Sequence, residues 1–417
     1  MTFSSRIPGF HKLTQDEKLN KLKGLVDLSD EEIAFLKVTE SPVTIENVIG
    51  VMTLPIGLAT NFIINGQEKL VTFALEEASV VAAASNLARM TRDHGGFETS
   101  NTGALMIGQI QVLDLQMPYF SAQQIHSNKE KILKLANKQD PILVKFGGGA
   151  EDLETRVIST AAGDMLIVHL IVNCLDAMGA NAVNTMAEAI APMIADITGG
   201  RVILRIISNF ADKRIVRARA VFDKEMLGGD DIVDAMIDAW AFAEADPYRA
   251  ATHNKGIMNA ISAVTVATAN DWRAIEAGAH VYASRSGYYT SLTRYEITEE
   301  GHLAGTIELP VAVGIVGGAT RVHPVAQINL KIMQVKSALE LAEIIACAGL
   351  AQNAAALRAL SDEGIQKGHM RLHARNLAGS LDGVTPEEVD IIAQEMIDQG
   401  QVRADTAQKI LNQIRSS

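Results

Sequence analysis

The chain has 417 residues, of which 48% are hydrophobic and 21% are charged, and its formal net charge is -12. This is more chain than one typical domain holds, so two or three domains with ample core are expected. The acidic balance excludes broad, sequence-independent binding to nucleic acid, which needs a basic surface. A few local Arg or Lys side chains are still enough for an anionic ligand.

The two cysteines, Cys174 and Cys347, lie in apolar stretches with no Cys or His at metal-ligand spacing. Two buried thiols in a reducing compartment are the simplest interpretation. The first residues lack the apolar core of a signal peptide, and no apolar run reaches the ~20 residues that cross a bilayer. We therefore expect a soluble, cytoplasmic protein.

The N-terminal region begins with helix start signals. Thr14 with Glu17, and Ser29 with Glu32, have the spacing of capping boxes. Strands and turns are predicted next, because β-branched runs are punctuated by Pro and Gly. The Ala-rich run Glu76–Arg92 then predicts a helix.

The next region alternates strands and helices in the order β-α-β-β-α-β, which fits a small ferredoxin-like domain. The predicted elements are strands at 110–115, 155–159, 165–173 and 202–207, with helices at 127–137 and 181–197. We predict an α+β fold with this small, dinucleotide-binding domain at 105–210. It is inserted into a larger, mainly helical, substrate-binding domain formed by 1–104 and 211–364, and 365–417 forms a C-terminal helical flap.

After the small domain, helical sequence resumes at Asp230, and strands or turns are predicted around Tyr282, Gly305–Ile307 and Val311–Val316. The Ala/Leu-rich run Ser337–Leu360 predicts a long helix, which belongs to the core by default. In the C-terminal region, the sequence Thr-Pro-Glu-Glu from Thr385 has the pattern of a capped helix start.

The densest polar motif is DPYRAATHNKGIMN, from Asp246 to Asn259. It places Lys255 among Arg249, His253 and amide side chains, which suits a fixed cation opposite a developing oxyanion. A solvated loop is the alternative interpretation.

Two acidic positions have equally open interpretations. Asp271, in ANDWRAIEAGAH, is either a helix cap or a charged partner of Lys255. Glu77, the second residue of the Glu76-Glu77 pair, is either a carboxylate at the start of a helix or a buried proton donor.

GHMRLHARN places His369 and His373 on one face if the segment is helical. Zinc binding is possible at this spacing, but no Cys or carboxylate partner is nearby, so a general acid on a mobile segment is favoured and no metal is expected. In DAMGAN, a glycine turn at a helix start suits the approach of a phosphate to backbone N–H groups. There is no GxGxxG motif after a strand, so a Rossmann domain is not supported.

Together these motifs resemble those of 3-hydroxy-3-methylglutaryl-CoA (HMG-CoA) reductases. In chain order they are ENVIG, EEASVVAAAS, DAMGAN, DPYRAATHNKG, NDWRAIEAGAH, GIVGGAT and GHMRLHARN. The resemblance covers nearly the whole chain, from about Arg6 to Arg403, and is to the soluble bacterial (class II) branch. It implies reduction of HMG-CoA to mevalonate and CoA by two hydride transfers, through a hemithioacetal and mevaldehyde, in a reaction that also runs oxidatively.

The resemblance also implies roles for four catalytic residues. Lys255 would stabilise the oxyanion at the thioester and then at the hemithioacetal carbon, and Glu77 would protonate the aldehyde oxygen in the second reduction. Asp271 would link these two residues through hydrogen bonds. His369 would protonate the departing CoA thiolate.

For the ligands, the resemblance implies that Arg249 and Asn259 hold the HMG carboxylate and hydroxyl end, with Ser79 as a further partner of the carboxylate. The dinucleotide contacts would be Asp176, Met178, Gly179 and Asn181.

Asp140 matches an acidic position at the adenine ribose, where a carboxylate accepts from a free 2′-OH and repels a 2′-phosphate. We therefore expect NAD(H) as coenzyme. The alternatives are the same reaction with NADP(H), or a non-catalytic CoA-binding scaffold of the same fold. Family members build the site across a subunit interface, so a dimer or a trimer of dimers is expected, without a nucleic-acid or membrane partner.

Overall fold

The computed structural model describes residues 10–26, 28–36, 46–361 and 374–416. The larger part of the fold is built on a sheet of six strands. These are β1 (Ile56–Ile64), β2 (Gln67–Ala74), β3 (Phe97–Asn101), β8 (Ile215–Phe222), β9 (Thr293–Ile297) and β10 (Leu303–Pro310). They lie in the order β2-β1-β3-β8-β10-β9, and every neighbouring pair is antiparallel except β1 and β3.

The longest helix of this larger part is α14 (Ala338–Ser361). The others are α1 (Gln15–Lys23), α2 (Asp30–Leu36), α3 (Val80–Arg89), α8 (Lys224–Leu227), α9 (Asp230–Ala245), α10 (Pro247–Ala267), α11 (Trp272–Ala283), α12 (Gly318–Val322) and α13 (Pro324–Ile332). α14 lies against β3, β8 and β10 and also contacts α3, α9 and α10. A side chain at Gly349 of α14 would collide with Ile261 of α10, so this glycine permits the close approach of the two helices.

By length and composition α14 could also cross a membrane, but 72% of its most apolar window is buried inside the protein. The predicted long core helix is thus confirmed, and its apolar character is explained by packing.

The smaller sheet has the ferredoxin-like order predicted from the sequence. Its strands are β4 (Leu105–Leu113), β5 (Gly149–Thr160), β6 (Gly163–Asn173) and β7 (Arg201–Ile207), and its helices are α4 (Pro118–Ser127), α5 (Lys129–Asn137), α6 (Pro141–Lys145) and α7 (Ala180–Thr198). The strand order is β5-β6-β4-β7, antiparallel throughout. This unit is inserted between β3 and β8, which pair directly, for example at Asn101 and Val216. The division of the chain into three domains stays a prediction.

Several predicted elements need correction. The Ala-rich helix α3 begins at Val80, so the Glu76-Glu77 pair lies in the turn before it. The predicted helix at 127–137 is α5 alone, because α4 ends at Ser127 and the chain bends at Asn128. Tyr282 lies in α11 and not in a strand.

The polar motif from Asp246 is not a solvated loop but the first half of α10. Asp246 caps the helix by accepting from the Arg249 N–H at 2.8 Å, and Pro247 occupies the first helical position. Proline needs no hydrogen-bonded N–H at that position, so Asp-Pro is itself a start signal.

The predicted capping boxes at Thr14, Ser29 and Thr385 are confirmed. In the C-terminal region, α15 (Pro386–Asp398) and α16 (Ala404–Ser416) share an apolar cluster of their own, which includes Met396 and Leu411. His369 and His373 lie outside the described residues.

Candidate active site

A cavity of about 430 Å³ opens between α3, α10 and α14. Five of the residues selected from the sequence line it, although they come from two segments far apart in the chain. They are Glu77, Ser79, Arg249, Lys255 and Asn259. The fold therefore brings the predicted acid, the predicted cation and the predicted substrate contacts to one place.

Two charged groups of the cavity, Lys255 and Glu77, are in direct contact. Lys255 Nζ lies 3.1 Å from Glu77 Oε2, and the side chains are 63% and 37% exposed, respectively. α10 fixes the backbone of the lysine, whereas the glutamate comes from the turn that leads into α3. An ammonium and a carboxyl group in contact at a cavity mouth can donate hydrogen bonds to a substrate oxygen and exchange a proton with it.

Ser79 gives this turn an unusual backbone. It precedes α3 with φ of 74° and ψ of -23°, the left-handed region that residues with a side chain rarely adopt, and its hydroxyl does not cap the helix. Such conformations cost about 1–3 kcal/mol and cluster at functional sites. The turn holds Glu77 and Ser79 at the rim of the same cavity.

The remaining contacts come from one face of α10. Arg249, His253, Gly256 and Asn259 recur at intervals of three or four residues and all line the cavity. Burial lowers the pKa of the Arg249 guanidinium. Arginine side chains as a class keep their charge in proteins. This face offers a fixed positive charge for a carboxylate and an amide for a hydroxyl group.

His253 anchors this face and does not act as an acid. Its Nε2 lies 2.9 Å from Thr293 Oγ1 and 2.8 Å from Ser291 Oγ, and the Asn353 amide completes the network from α14. Burial, together with the nearby Arg249, lowers the pKa of His253 to about 3. The ring is therefore neutral at physiological pH, and it ties α10 to β9 and α14.

Sequence reasoning missed the contribution of α14. Gln352 and Asn353 line the cavity from a helix that was assigned to the core by default. Two adjacent amides in an otherwise Ala/Leu-rich run were the available signal, because buried polar groups need partners.

The DAMGAN turn lies elsewhere, between β6 and α7. Gly179 precedes α7 with φ of 111°, no side chain caps the helix, and its first turn holds no acidic residue. Its backbone N–H groups can therefore receive a phosphate at the positive end of the helix, so the turn fits a dinucleotide. Asn181, in that first turn, is exposed.

A buried arginine that the sequence analysis did not single out shapes this turn. Arg214 is 1% exposed and donates to the carbonyls of Ala177, Met178 and Val313 at 3.1, 3.3 and 2.6 Å. Burial lowers its pKa to about 10. Asp176 is fixed separately, because its Oδ1 accepts from the Ala338 N–H at 2.8 Å.

Asp140 caps α6, where it accepts from the Leu143 N–H at 2.9 Å. Burial raises the pKa of the Cys174 thiol to about 12, and the charge of Asp140 acts in the same direction. A side chain at Gly179 would approach Cys174 Sγ to 2.5 Å. The DAMGAN turn therefore packs directly against the buried Cys174 thiol.

Asp271 belongs to the same neighbourhood as DAMGAN. It caps α11 by accepting from the N–H groups of Arg273 and Ala274 at 3.1 and 3.2 Å. The preceding Asn270 pairs with Gly314, which itself lies directly against the backbone of Met178.

The helix α10 separates Asp271 from Lys255 within one chain. The Asn270 N–H donates to Thr265 O at 3.0 Å, which holds this turn at the far end of the helix. From Lys255 to Thr265 the helix spans about 15 Å at 1.5 Å per residue. No hydrogen bond joins Asp271 to Lys255 or Glu77 in the described part of the chain. We call the cavity the acyl half-site, and the DAMGAN turn with Asp271 the dinucleotide half-site, after the ligands that the sequence resemblance implies for their residues.

Comparison with known proteins gives the class of protein that this fold and these two half-sites define. Residues 14–374 match the family model of hydroxymethylglutaryl-coenzyme A reductase. The chain belongs to the HMG-CoA reductase family, in its class II branch.

Individual members of the family are similar to this chain along nearly their whole length. The chain is 56% identical to the 3-hydroxy-3-methylglutaryl-coenzyme A reductase of Archaeoglobus fulgidus, over 99% of this chain and 95% of the relative. It is 36% identical to a probable enzyme of the same name from Borreliella burgdorferi, over 96% and 93%. A solved class II enzyme from Streptococcus pneumoniae, bound to NADPH in open conformations, is 40% identical with a TM-score of 0.76, over 97% of this chain and 100% of that chain.

Proposed function

We propose that this protein interconverts HMG-CoA with mevalonate and CoA by two successive hydride transfers, with NAD(H) as the preferred coenzyme. The observation that carries the proposal is the contact between Lys255 and Glu77 inside a cavity that also presents Arg249, Ser79 and Asn259. A cation beside a proton donor suits carbonyl reduction, because negative charge develops on the carbonyl oxygen as hydride arrives at carbon.

In this proposal the acyl half-site orients the substrate. Arg249 binds the distal carboxylate by charge-assisted hydrogen bonds, with Ser79 as a second donor, and Asn259 binds the hydroxyl. Lys255 donates to the thioester oxygen and then to the hemithioacetal oxygen. Glu77 protonates the aldehyde oxygen in the second reduction, and His369 protonates the leaving CoA thiolate.

The coenzyme supplies or accepts hydride when bound. The residues proposed to hold it are Asp176, Met178, Gly179 and Asn181 at the start of α7. The preference for NAD(H) rests on Asp140, whose carboxylate would accept from a free ribose hydroxyl and repel a phosphate. The competing candidate is NADP(H), which is favoured by the NADPH bound to the Streptococcus pneumoniae relative.

The separation of the two half-sites supports a dimeric enzyme. Since α10 keeps Asp271 away from Lys255 within one chain, the aspartate that completes the site would come from a second copy, together with the dinucleotide turn. A dimer is sufficient for this arrangement, and a trimer of dimers would repeat it.

The experiment is steady-state kinetics in both directions with both coenzymes. Mixing the protein with mevalonate, CoA and NAD should raise the absorbance of reduced nicotinamide, and HMG-CoA with NADH should lower it. Lys255→Met should abolish both signals, whereas Lys331→Met, on the exposed surface of α13, should leave them unchanged. No signal with either coenzyme would favour the non-catalytic CoA-binding scaffold instead, and equal activity with NAD and NADP would contradict the coenzyme preference.

A further inference from the structure

A cluster of possible metal ligands lies outside both half-sites. It consists of His94, Asp223 and His302, whose ligand atoms all lie within 4.8 Å of one another. Their side chains are 24%, 20% and 19% exposed, respectively, so they are largely enclosed but still reachable from solvent. We propose that these three residues form a binding site for a divalent transition-metal ion of the Zn²⁺ type.

The sheet register brings the three residues together. β8 and β10 pair at Phe222 and Leu303, so one further step of the register sets Asp223 opposite His302. On the other side of β8, β3 pairs through Phe97 and Ala220, and His94 ends the 3-10 helix three residues before Phe97. Residues opposite each other on neighbouring strands lie about 4.5–5.5 Å apart. The three side chains therefore meet at one end of β3, β8 and β10, where the rings of His94 and His302 lie 4.4 Å apart.

The distances suit a shared ion better than direct hydrogen bonds. Asp223 Oδ2 lies 3.4 Å from His94 Nε2 and 3.8 Å from His302 Nδ1. Good hydrogen bonds between such groups measure about 2.7–3.2 Å. Two ligands of one tetrahedral Zn²⁺ are about 3.3 Å apart, because each bond is about 2.0–2.1 Å long. The ligand atoms of His94 and His302 lie within 4.8 Å of each other, so a bound ion would draw the two imidazoles together.

The ligands are already oriented by their neighbours. Asp223 Oδ1 accepts from the Met226 N–H at 2.9 Å, which turns Oδ2 towards the two imidazoles. The Lys224 N–H donates to His302 Nδ1 at 3.2 Å, so this nitrogen carries a lone pair and no proton. A bound ion would take over that lone pair and leave the Lys224 N–H, at the start of α8, to water. The contact of Met226 with Asp223, which leaves Oδ2 free, is of the supporting kind that is typical of metal sites.

The charge of the cluster also suits a cation. Asp223 contributes one negative charge, and the Glu300 carboxylate lies close enough to interact electrostatically with both histidines. Imidazole and carboxylate ligands favour Zn²⁺, Co²⁺ or Ni²⁺ over Mg²⁺ and Ca²⁺, which prefer oxygen alone. Three protein ligands would leave one position for water.

The ion would tie together three separate segments. His94 ends a 3-10 helix (Arg92–His94) shortly after α3, Asp223 caps α8, and His302 precedes β10. α3 begins at Val80 on the rim of the acyl half-site. A metal here would therefore brace the far end of a helix whose start shapes the substrate cavity, without taking part in the reaction.

The test is titration of tag-free, metal-depleted protein with Zn²⁺ by isothermal calorimetry, followed by the visible spectrum of the Co²⁺-loaded protein. We expect one ion per chain, a tetrahedral Co²⁺ spectrum, a higher melting temperature with Zn²⁺ and no binding of Mg²⁺. His302→Gln retains an acceptor for the Lys224 N–H, and Asp223→Asn retains a cap for α8. Each should weaken Zn²⁺ binding about tenfold or more.

Two controls locate the site. His280→Ala removes a histidine that pairs with Tyr289 outside the cluster, and it should bind Zn²⁺ like the parent. His369→Ala/His373→Ala removes the two histidines of the GHMRLHARN motif, and it should also bind normally. Absence of binding to the parent would overturn the proposal. So would unchanged affinity in His302→Gln and Asp223→Asn, or loss of binding in the double variant.

Discussion

Complementation between two inactive variants gives the sharpest test of the two half-sites. Lys255→Ala removes the cation from the acyl half-site, and Asp271→Asn removes the charge from the dinucleotide half-site while keeping an N-cap for α11. Each variant alone should have little activity. If each active site combines Lys255 of one copy with Asp271 of the other, a mixed dimer contains one intact site and one doubly damaged site.

The expected recovery follows from counting the sites. Random exchange of equal amounts gives mixed dimers as about half of the population, and one site in two is intact in each. Activity should therefore recover to about one quarter of the wild-type value. The assay is the rate of NADH formation from mevalonate and CoA, measured before and after subunit exchange, with exchange verified by differently tagged copies.

A matched control uses the double variant Lys255→Ala/Asp271→Asn mixed with wild-type protein. In that mixture both sites of every mixed dimer are damaged, so the activity should fall to about one quarter rather than remain at one half. A mixture of the single variants that exchanges subunits but stays as inactive as its parents would refute the shared site. Lys255 and Asp271 of the same chain would then have to meet, against the span of α10.

Three further predictions concern single positions. Asp140→Asn keeps the cap of α6 but removes the charge, so the ratio of kcat/KM for NAD over NADP should fall about tenfold or more. An unchanged ratio in both Asp140→Asn and Asp140→Ala would rule out a role of this residue in coenzyme preference. Gly314→Ala places a Cβ 2.5 Å from Met178 N, so the KM for coenzyme should rise about tenfold with little change in the KM for HMG-CoA. In the same kinetics Gly256→Ala, whose Cβ meets no atom within 4 Å but lines the cavity, should raise the KM for HMG-CoA and leave that for coenzyme nearly unchanged. The pKa of His253 in the folded protein, about 3, lies below its ordinary value, so the unfolded chain binds more protons between these two values. The free energy of unfolding should therefore fall as the pH is lowered from 6.5 to 3, by up to about 1.4 kcal/mol per pH unit. Chemical denaturation across this range should show a weaker dependence of the unfolding free energy on pH for His253→Gln.

The sequence predicted best those features that depend on local pattern. The β-α-β-β-α-β order, the capping boxes and the helix α14 each follow from periodicity or from the residues at a boundary. The start of α10 was misjudged because the density of polar side chains was given more weight than the Asp246-Pro247 start signal. Arg249, His253, Lys255 and Asn259 line a cavity, which accounts for the polar character of this half of the helix.

Features that depend on contacts between distant parts of the chain could not be predicted from residue spacing. Glu77 and Lys255 are 178 positions apart, and only the fold brings them within 3.1 Å. Spacing alone left each of them with a competing explanation. The order of the surrounding motifs, which is shared with known reductases, favoured a catalytic role for both residues. Arg214 and the cluster at Asp223 had no local signature at all, because their partners are backbone carbonyls or residues on other strands.

The insertion of the small sheet between β3 and β8 has a consequence for how the chain folds. These strands are neighbours in the larger sheet, yet the whole β4–β7 unit separates them in sequence. Closing a flexible loop of that length costs a few kcal/mol of chain entropy. A small domain that folds first brings its two ends together and removes most of this cost. We therefore expect β4–β7 to gain protection from hydrogen exchange before β3 and β8 do, so that the small sheet acts as the template on which the larger sheet closes.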